Sequence, residues 1–235
     1  MMPSIPRASV LALILLPACA TARLEPPAGL EAAPRLDVRG REGWRPMRKV
    51  AFGEFATDVV DREERDRSPW WRAAGVDVDD HRMRWDFALL QDDSLAWRVD
   101  CSGTATSRAL TGRTWRVELQ RRDEVVCGFF RAGQDRPEWT ARLEAKDAPL
   151  AGWLRRGDTA WRIESVTDRG VPGMGVDGAS GYRIASGDAA IALVQTAGQG
   201  SVWLAPALPP AERSIVAALA AALLLRVEPE FETGD

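Results

Sequence analysis

Eleven consecutive residues near the end of the chain, Ile215 to Leu225, carry no polar side chain. Pro209-Pro210-Ala-Glu212 ahead of this run is typical of a helix start, and Arg226 with Pro229 indicates its end. As a helix the run is about 16 Å long, half the thickness of a bilayer core. A helix that is apolar on every side must be buried on every side. The run therefore predicts β-structure wrapped around a central helix.

From Arg48 onward, polar and apolar residues alternate with a period of two, as in Trp85-Asp-Phe87-Ala-Leu89 and Trp97-Arg-Val99-Asp-Cys101. Such alternation is typical of strands with one buried and one solvated face. About twelve strands are predicted, near residues 48–56, 83–90, 95–101, 106–110, 113–120, 124–131, 137–144, 149–155, 159–166, 181–185, 189–195 and 200–204. The predicted fold is mainly β: an antiparallel barrel-like or sandwich domain with a buried C-terminal apolar helix.

Turn signals separate these strands, and tryptophans often open them. The turns are expected at Gln91–Ser94, Arg121–Asp123, Arg156–Asp158 and Ser186–Asp188. Because the tryptophans occupy alternate strand positions, we expect their indoles to fill the core.

A chain of about twelve strands that ends in two hairpin-like strands and a buried apolar helix resembles the tubby-like barrel of tubby and LURP-one-related proteins; the relevant stretch runs from Gly181-Tyr-Arg-Ile-Ala-Ser-Gly187 through Leu225. The likeness is architectural and covers less than a quarter of the chain. It implies a barrel that encloses its C-terminal helix; a β-sandwich or a lipocalin-like barrel is the alternative. Some tubby-like proteins bind phosphoinositide headgroups or membranes through basic residues, but no Lys and Arg cluster here matches such a site residue by residue.

Residues 1–18 are typical of an export signal, with Arg7 in the charged region and Val10 to Leu16 as the apolar region. Leu16-Pro17-Ala18-Cys19 resembles the bacterial lipobox, although Pro17 stands where a small or β-branched residue is usual. The resemblance implies that Cys19 becomes the lipid-carrying first residue of the mature chain. Since Ala20 is not aspartate, it implies the outer membrane rather than the inner one.

An alternative cleavage remains open, because Ala18-Cys19-Ala20 also fits an ordinary A-x-A site that would release a soluble periplasmic or secreted protein. Residues 19–46 contain four prolines and little periodicity, so we predict a Pro-rich tether there. Residues 47–235 are predicted to form a single β-rich domain.

Removal or acylation of Cys19 leaves two cysteines, Cys101 and Cys127. In an oxidising compartment this pair predicts one disulfide between neighbouring strands. Two buried free thiols are the alternative. No CxxC motif or Cys/His spacing indicates a metal or redox site.

No catalytic, metal-binding or cofactor-binding residue is predicted. The only histidine, His81, follows Asp77-Val-Asp79-Asp80, for which a solvated loop is a simpler account than a calcium site or catalysis. Gly178-Ala-Ser180-Gly181-Tyr182 lacks the last glycine of a nucleophile elbow and precedes a strand. Gly173-Met-Gly175-Val-Asp-Gly178 is likewise followed by a strand and not by the helix that dinucleotide binding requires.

Adjacent acids such as Asp92-Asp93 and Glu63-Glu64 are typical of solvated turns, whereas glycoside hydrolysis needs two carboxyls that face each other.

Trp70 and Trp71 are adjacent in a predicted loop, so both indoles cannot face one core. One of them is a candidate contact with a partner or a membrane interface.

These observations predict an outer-membrane lipoprotein whose β-domain is a non-catalytic binding module for an envelope protein or a lipid. The formal net charge of −3 argues against nucleic acid as a partner. Two alternatives stay open: an envelope hydrolase whose carboxylates converge only in the fold, and a purely structural role.

Overall fold

The computed structural model describes residues 24–41, 49–67, 76–111, 116–146, 149–167 and 180–226. Within these ranges the chain forms thirteen strands and one helix. They are β1 (Arg35–Asp37), β2 (Ala51–Phe52), β3 (Phe55–Thr57), β4 (Asp61–Arg67), β5 (Val76–Gln91), β6 (Ser94–Thr111), β7 (Arg116–Phe130), β8 (Trp139–Lys146), β9 (Ala151–Arg156), β10 (Thr159–Val166), β11 (Gly181–Ser186), β12 (Ala189–Gln195), β13 (Ser201–Leu204) and α1 (Pro210–Leu225).

Twelve of the strands form a nearly closed antiparallel barrel, in the order β1-β13-β12-β11-β10-β9-β8-β7-β6-β5-β3-β2. The two edges of this sheet meet at Arg39 and Ala51, whose backbone groups exchange hydrogen bonds of 2.9 and 3.1 Å. β4 lies off this path and pairs with β5 beyond the end of β3. The predicted barrel of about twelve strands is confirmed, and a sandwich is not what the chain forms.

The helix α1 occupies the interior of the barrel, as its all-apolar run predicts. Every residue from Ser214 to Leu225 is buried, and the helix contacts β5, β6, β7, β12 and β13. Near its start, the Trp97 indole donates a 3.0 Å hydrogen bond to the Ser214 hydroxyl, which itself donates to the Ala211 carbonyl. None of the described helices is long and apolar enough to cross a bilayer.

One end of the barrel, where α1 begins, is closed by aromatic rings and arginines. Trp97 and Trp139 are almost fully buried, and Trp139 stacks on Trp161 with centroids 4.8 Å apart. The guanidiniums of Arg131 and Arg156 lie over Trp97 and Trp139 at 3.8 and 4.7 Å. Glu138 pairs with both arginines, at 3.3 and 2.9 Å respectively. The expectation that the indoles fill the core is confirmed for these three tryptophans.

The predicted tether over residues 19–46 is wrong for its described part. Leu24, Leu30 and Ala33 pack against the outer face of β12 and β13, in a second apolar cluster with Leu193 and Trp203. β1 then pairs with β13. This cover explains why β12 is buried on both faces. The described residues 24–41 therefore belong to the folded domain, which the sequence placed only from residue 47 onward.

The strands near the middle of the chain are longer than the sequence predicts. β6 and β7 each run through what were expected to be two strands, so the predicted turn at Arg121–Asp123 is wrong. The stretch that contains Asp79 and His81 lies in β5 and not in a loop.

β4 was not predicted, because its sequence Asp-Arg-Glu-Glu-Arg-Asp-Arg has no apolar alternation. Its charges suit a strand whose outer edge pairs with no other described strand.

Cys101 and Cys127 are direct cross-strand partners in β6 and β7, and both are buried inside the barrel. Their sulfurs lie 2.10 Å apart, which is disulfide bonding distance. The predicted bridge between neighbouring strands is confirmed.

Reduction of this bridge is expected to destabilise the barrel by about 3 kcal/mol, because the closed loop restricts the unfolded chain. Urea unfolding with and without reductant measures the difference in the free energy of unfolding. The double variant C101A/C127A serves as the control, since its stability should not respond to reductant. Equal stability of the wild type in both conditions would contradict the prediction.

Candidate functional site

The end of the barrel where α1 terminates is polar, in contrast to the aromatic end. Arg226, the residue after α1, has a side chain only 6% exposed and lies 3.5 Å from the Asp123 carboxylate. Its guanidinium also donates to the Tyr182 hydroxyl at 3.2 Å. Asp123 belongs to β7 and is itself 7% exposed, and it takes a second ion pair from Arg121 at 3.2 Å. The Arg226 guanidinium thus links the end of the helix to β7 through Asp123 and to β11 through Tyr182.

The last carbonyl of the helix is also met by a cation. Arg62 of β4 donates a hydrogen bond from Nη2 to the Leu225 carbonyl. The pKa of Arg62 lies below its ordinary value because the side chain is partly buried, and the negative charge of Glu64 offsets part of this lowering. A guanidinium suits this position because the C-terminus of a helix carries partial negative charge.

Three buried polar atoms in this region have no hydrogen-bond partner among the described residues: Asp123 Oδ1, Ser107 Oγ and Arg62 Nε. Ser107 is 1% exposed, and Asp123 is 8% exposed as a whole residue. A cavity of about 10 Å³, room for one water, lies between His81, Met83, Val125 and Arg226. We call Arg62, Ser107, Arg121, Asp123, Tyr182 and Arg226 the polar mouth. Its unpaired atoms give it capacity for a small polar ligand or a bound water.

His81 and Asp79 lie on the same inward face of β5 as the buried Met83 and Trp85, whereas Asp80 faces outward and pairs with Arg82 at 3.3 Å. In register, Asp79 is opposite Ser107, and His81 is opposite Ala105. Asp79, His81 and Ser107 therefore share one face. Ser107 Oγ forms no hydrogen bond with any residue of the described ranges, so the contact between nucleophile and base that a serine hydrolase needs is not made among them. The described residues include no group of three His, Cys, Asp or Glu side chains placed to hold a metal.

The remaining sequence candidates are separated by the fold. Asp92 and Asp93 occupy the turn between β5 and β6, with positive φ angles of 48° and 61°. Glu63 and Glu64 fall on opposite faces of β4, paired with Arg65 and Arg62. Cys19, Trp70, Trp71 and the glycine-rich segment 173–178 lie outside the described residues.

Three aspartates form a row across the outer face of the barrel. Asp61, Asp86 and Asp100 are direct cross-strand partners on β4, β5 and β6. Partial burial raises the pKa of Asp86, and the negative charges of Asp61, Asp100 and Asp58 add to the shift. Arg84 pairs with Asp100 at 2.7 Å, which relieves part of the repulsion.

The sequence offered little sign of the polar mouth. Arg121 and Asp123 carry charges in a segment expected to turn, and their burial follows only from the tertiary contact with Arg226. One feature of the sequence does indicate this site: Arg226 directly follows the apolar helix run, so its backbone lies at the end of a helix that is buried inside the barrel.

Comparison with known proteins finds no match: no family, no curated protein and no solved structure resembles the chain significantly.

The substitution Asp123→Asn is expected to destabilise the protein by about 3 kcal/mol, because it removes the charged partner from a buried ion pair with Arg226. Chemical denaturation at neutral pH measures the effect. Glu124→Gln is a matched control: the neighbouring side chain faces outward in an exposed ion pair with Arg142, so its loss should cost less than about 1 kcal/mol. Similar losses in the two variants would refute the special role of Asp123.

Asp86→Asn is expected to raise stability at neutral pH by a few tenths to about 1 kcal/mol, because it removes like charges directly opposite each other. The pKa of Asp86 is higher in the folded chain than its ordinary value of 3.8. The contribution of protonated Asp86 to the stability of the folded chain is therefore complete below pH 3.8 and is lost as the pH rises through the pKa that Asp86 has in the folded chain.

Thermal unfolding of the wild type and D86N across this pH range checks the sign. The two should converge in acid and separate toward neutral pH, with D86N the more stable. Asp135→Asn, in the exposed loop after β7, should leave the profile unchanged. A wild type more stable than D86N at neutral pH would disprove the prediction.

Proposed function

We propose that the chain is an exported, lipid-anchored protein of the bacterial outer membrane whose barrel is a non-catalytic binding or interaction module. The observation that carries the export part is the Cys101–Cys127 disulfide, since such bonds persist in oxidising compartments outside the cytoplasm. The signal-like residues 1–18 and the lipobox-like sequence before Cys19 support the anchor.

The filled interior supports binding at the surface or at the ends of the barrel. A lipocalin-like carrier needs an open cavity, and here α1 occupies that space with twelve buried residues. The aromatic end is closed by Trp97, Trp139 and the arginines above them. The polar mouth and the outer strand faces remain as contact surfaces for an envelope protein or a lipid.

The architecture also supports the proposed relationship to tubby-like barrels. Twelve of the described strands enclose the apolar helix α1. This helix follows two hairpin-connected strands, β12 and β13, which is the order of elements expected for a tubby-like barrel.

A second candidate is an envelope hydrolase, and one observation favours it: Asp79, His81 and Ser107 face the same side of the sheet near the polar mouth. The lack of a hydrogen bond at Ser107 Oγ favours the binding module instead.

The anchor is tested by expressing the full chain in a Gram-negative host and measuring its intact mass and membrane fraction. The wild type is expected in the outer membrane, with a mass that begins at a triacylated Cys19. Cys19→Ser should abolish lipidation, and Ala20→Asp should retain the protein in the inner membrane. Cleavage after Ala20 with release of a soluble chain would overturn the anchor, and an uncleaved cytoplasmic chain would overturn export.

The binding module is tested by native mass spectrometry of the exported chain carrying Cys19→Ser. A stoichiometric bound molecule that is lost on Asp123→Asn is the expected result for a ligand at the polar mouth. Turnover of ester or glycan substrates that is lost on Ser107→Ala would establish the hydrolase instead.

A further inference from the structure

We propose that the ends of β6 and β7 that project beyond the polar mouth form a contact site for anionic lipid headgroups. We call this surface the basic tip and define it by Thr106, Arg108, Leu119, Gln120, Arg122 and Lys146. The inference rests on the proposed lipid anchor, because the anchor places this end of the barrel at the membrane.

The basic tip is built by cross-strand neighbours on the outer face of the sheet. Arg108 is opposite Gln120, and Arg122 has Thr106 on one side and Lys146 on the other. A surface pocket of about 200 Å³ lies between Thr106, Arg108, Gln120 and Arg122. Guanidinium, hydroxyl and amide groups can all donate hydrogen bonds, so the pocket suits the oxygens of a phosphate group.

The charges of the basic tip are not neutralised within the described structure. Further along the same outer face, Arg82 pairs with Asp80, Arg84 with Asp100, and Arg142 with Glu124 and Glu144. Arg108, Arg122 and Lys146 are exposed, and none of them forms an ion pair with another described residue. A concentration of unpaired cations on a chain of net negative charge is a local feature that attracts anions.

An exposed leucine lies beside these cations. Leu119 is 54% exposed and has no direct cross-strand partner, because a β-bulge sets Gln120 opposite Arg108 and Glu118 opposite Ala109. Bulges re-aim side chains at the ends of sheets. An apolar side chain next to unpaired cations is the composition that binds at the headgroup and acyl boundary of an anionic bilayer.

The proposed anchor leaves the barrel at this same end. The backbone N–H of Leu24 donates to the Gln195 side chain at 3.3 Å, and Gln195 pairs with Gly181, the neighbour of Tyr182 in the polar mouth. Leu24 follows Cys19 by five positions, so a fully extended chain from Leu24 to Cys19 spans about 17 Å.

The projection of the strands matches this reach. Leu119 lies four residues beyond Asp123 along β7, about 13 Å at the usual rise of a strand. A lipid attached at Cys19 and the side chain of Leu119 can therefore meet the same bilayer surface. The tether is too short to hold the barrel far from the membrane, so contact at this end is expected.

The experiment is co-sedimentation with vesicles of the chain from residue 19 onward carrying Cys19→Ser, so that neither an acyl chain nor the apolar run Val10 to Leu16 contributes to binding. Vesicles of phosphatidylcholine alone are compared with vesicles containing one third phosphatidylglycerol, in low and in half-molar salt. We expect binding only to the anionic vesicles, with loss in high salt.

The variant R108E/R122E is expected to bind the anionic vesicles at least about tenfold more weakly, and L119S several-fold more weakly. R136E/R155E and L95S make the same changes at exposed positions of the opposite end and should bind like the parent chain. Thermal unfolding of each variant controls for folding.

The lipid source is separated from free phosphate by adding millimolar inorganic phosphate at constant ionic strength. Vesicle binding that survives phosphate supports a lipid surface, whereas displacement by phosphate overturns it in favour of a small-anion site. The proposal is also overturned if the folded chain binds neither vesicle, binds both equally, or loses binding equally in the two arginine double variants. Because the chain carries Cys19→Ser, these outcomes are independent of whether Cys19 is acylated in cells.

Discussion

The burial of one apolar helix is the constraint on which the rest of this structure depends. The side chains of α1 from Ser214 to Leu225 are all removed from water, and no single sheet face can cover a helix on every side. Burying this apolar surface is a large favourable term in folding and requires a sheet that curves until its edges meet. The closure at Arg39 and Ala51 follows from that requirement, and a central ligand cavity is excluded by it.

The two helix termini give the barrel two different ends. At the start of α1 the Trp97 indole donates a hydrogen bond to the Ser214 hydroxyl, and Arg131 covers the ring of that tryptophan, so this end is closed. At the other end, the last backbone carbonyls of the helix need hydrogen-bond donors. Arg62 donates a hydrogen bond to the Leu225 carbonyl, and Arg226 adds a second positive charge at this end of the helix. Buried cations require a counter-ion, which Asp123 supplies. The polar mouth is thus a consequence of ending a helix inside a barrel.

Much of the fold was predictable because burial imposes a period on the sequence. Strands with one wet face, such as β8 with its alternating burial, were located to within a few residues. The disulfide was predictable once Cys19 was assigned elsewhere, since Cys101 and Cys127 were the only pair left. β12 held a further signal: its continuous apolar sequence Ala190-Ile-Ala-Leu-Val194 indicates cover on both faces, which the segment from Leu24 to β1 provides.

The sequence by itself determined the mainly β class, the buried helix, the cystine and the positions of most strands, because each depends on local periodicity or on residue type. Only the tertiary structure decided that Arg121 and Asp123 lie inside a long strand, that residues 24–41 pack on the barrel and add β1 to it, and that Arg108, Arg122 and Leu119 share one projecting tip. Polar residues carry no period that distinguishes a turn from a buried ion pair. Their location depends on partners distant in sequence, and for Asp123 that partner is Arg226, 103 residues further along the chain.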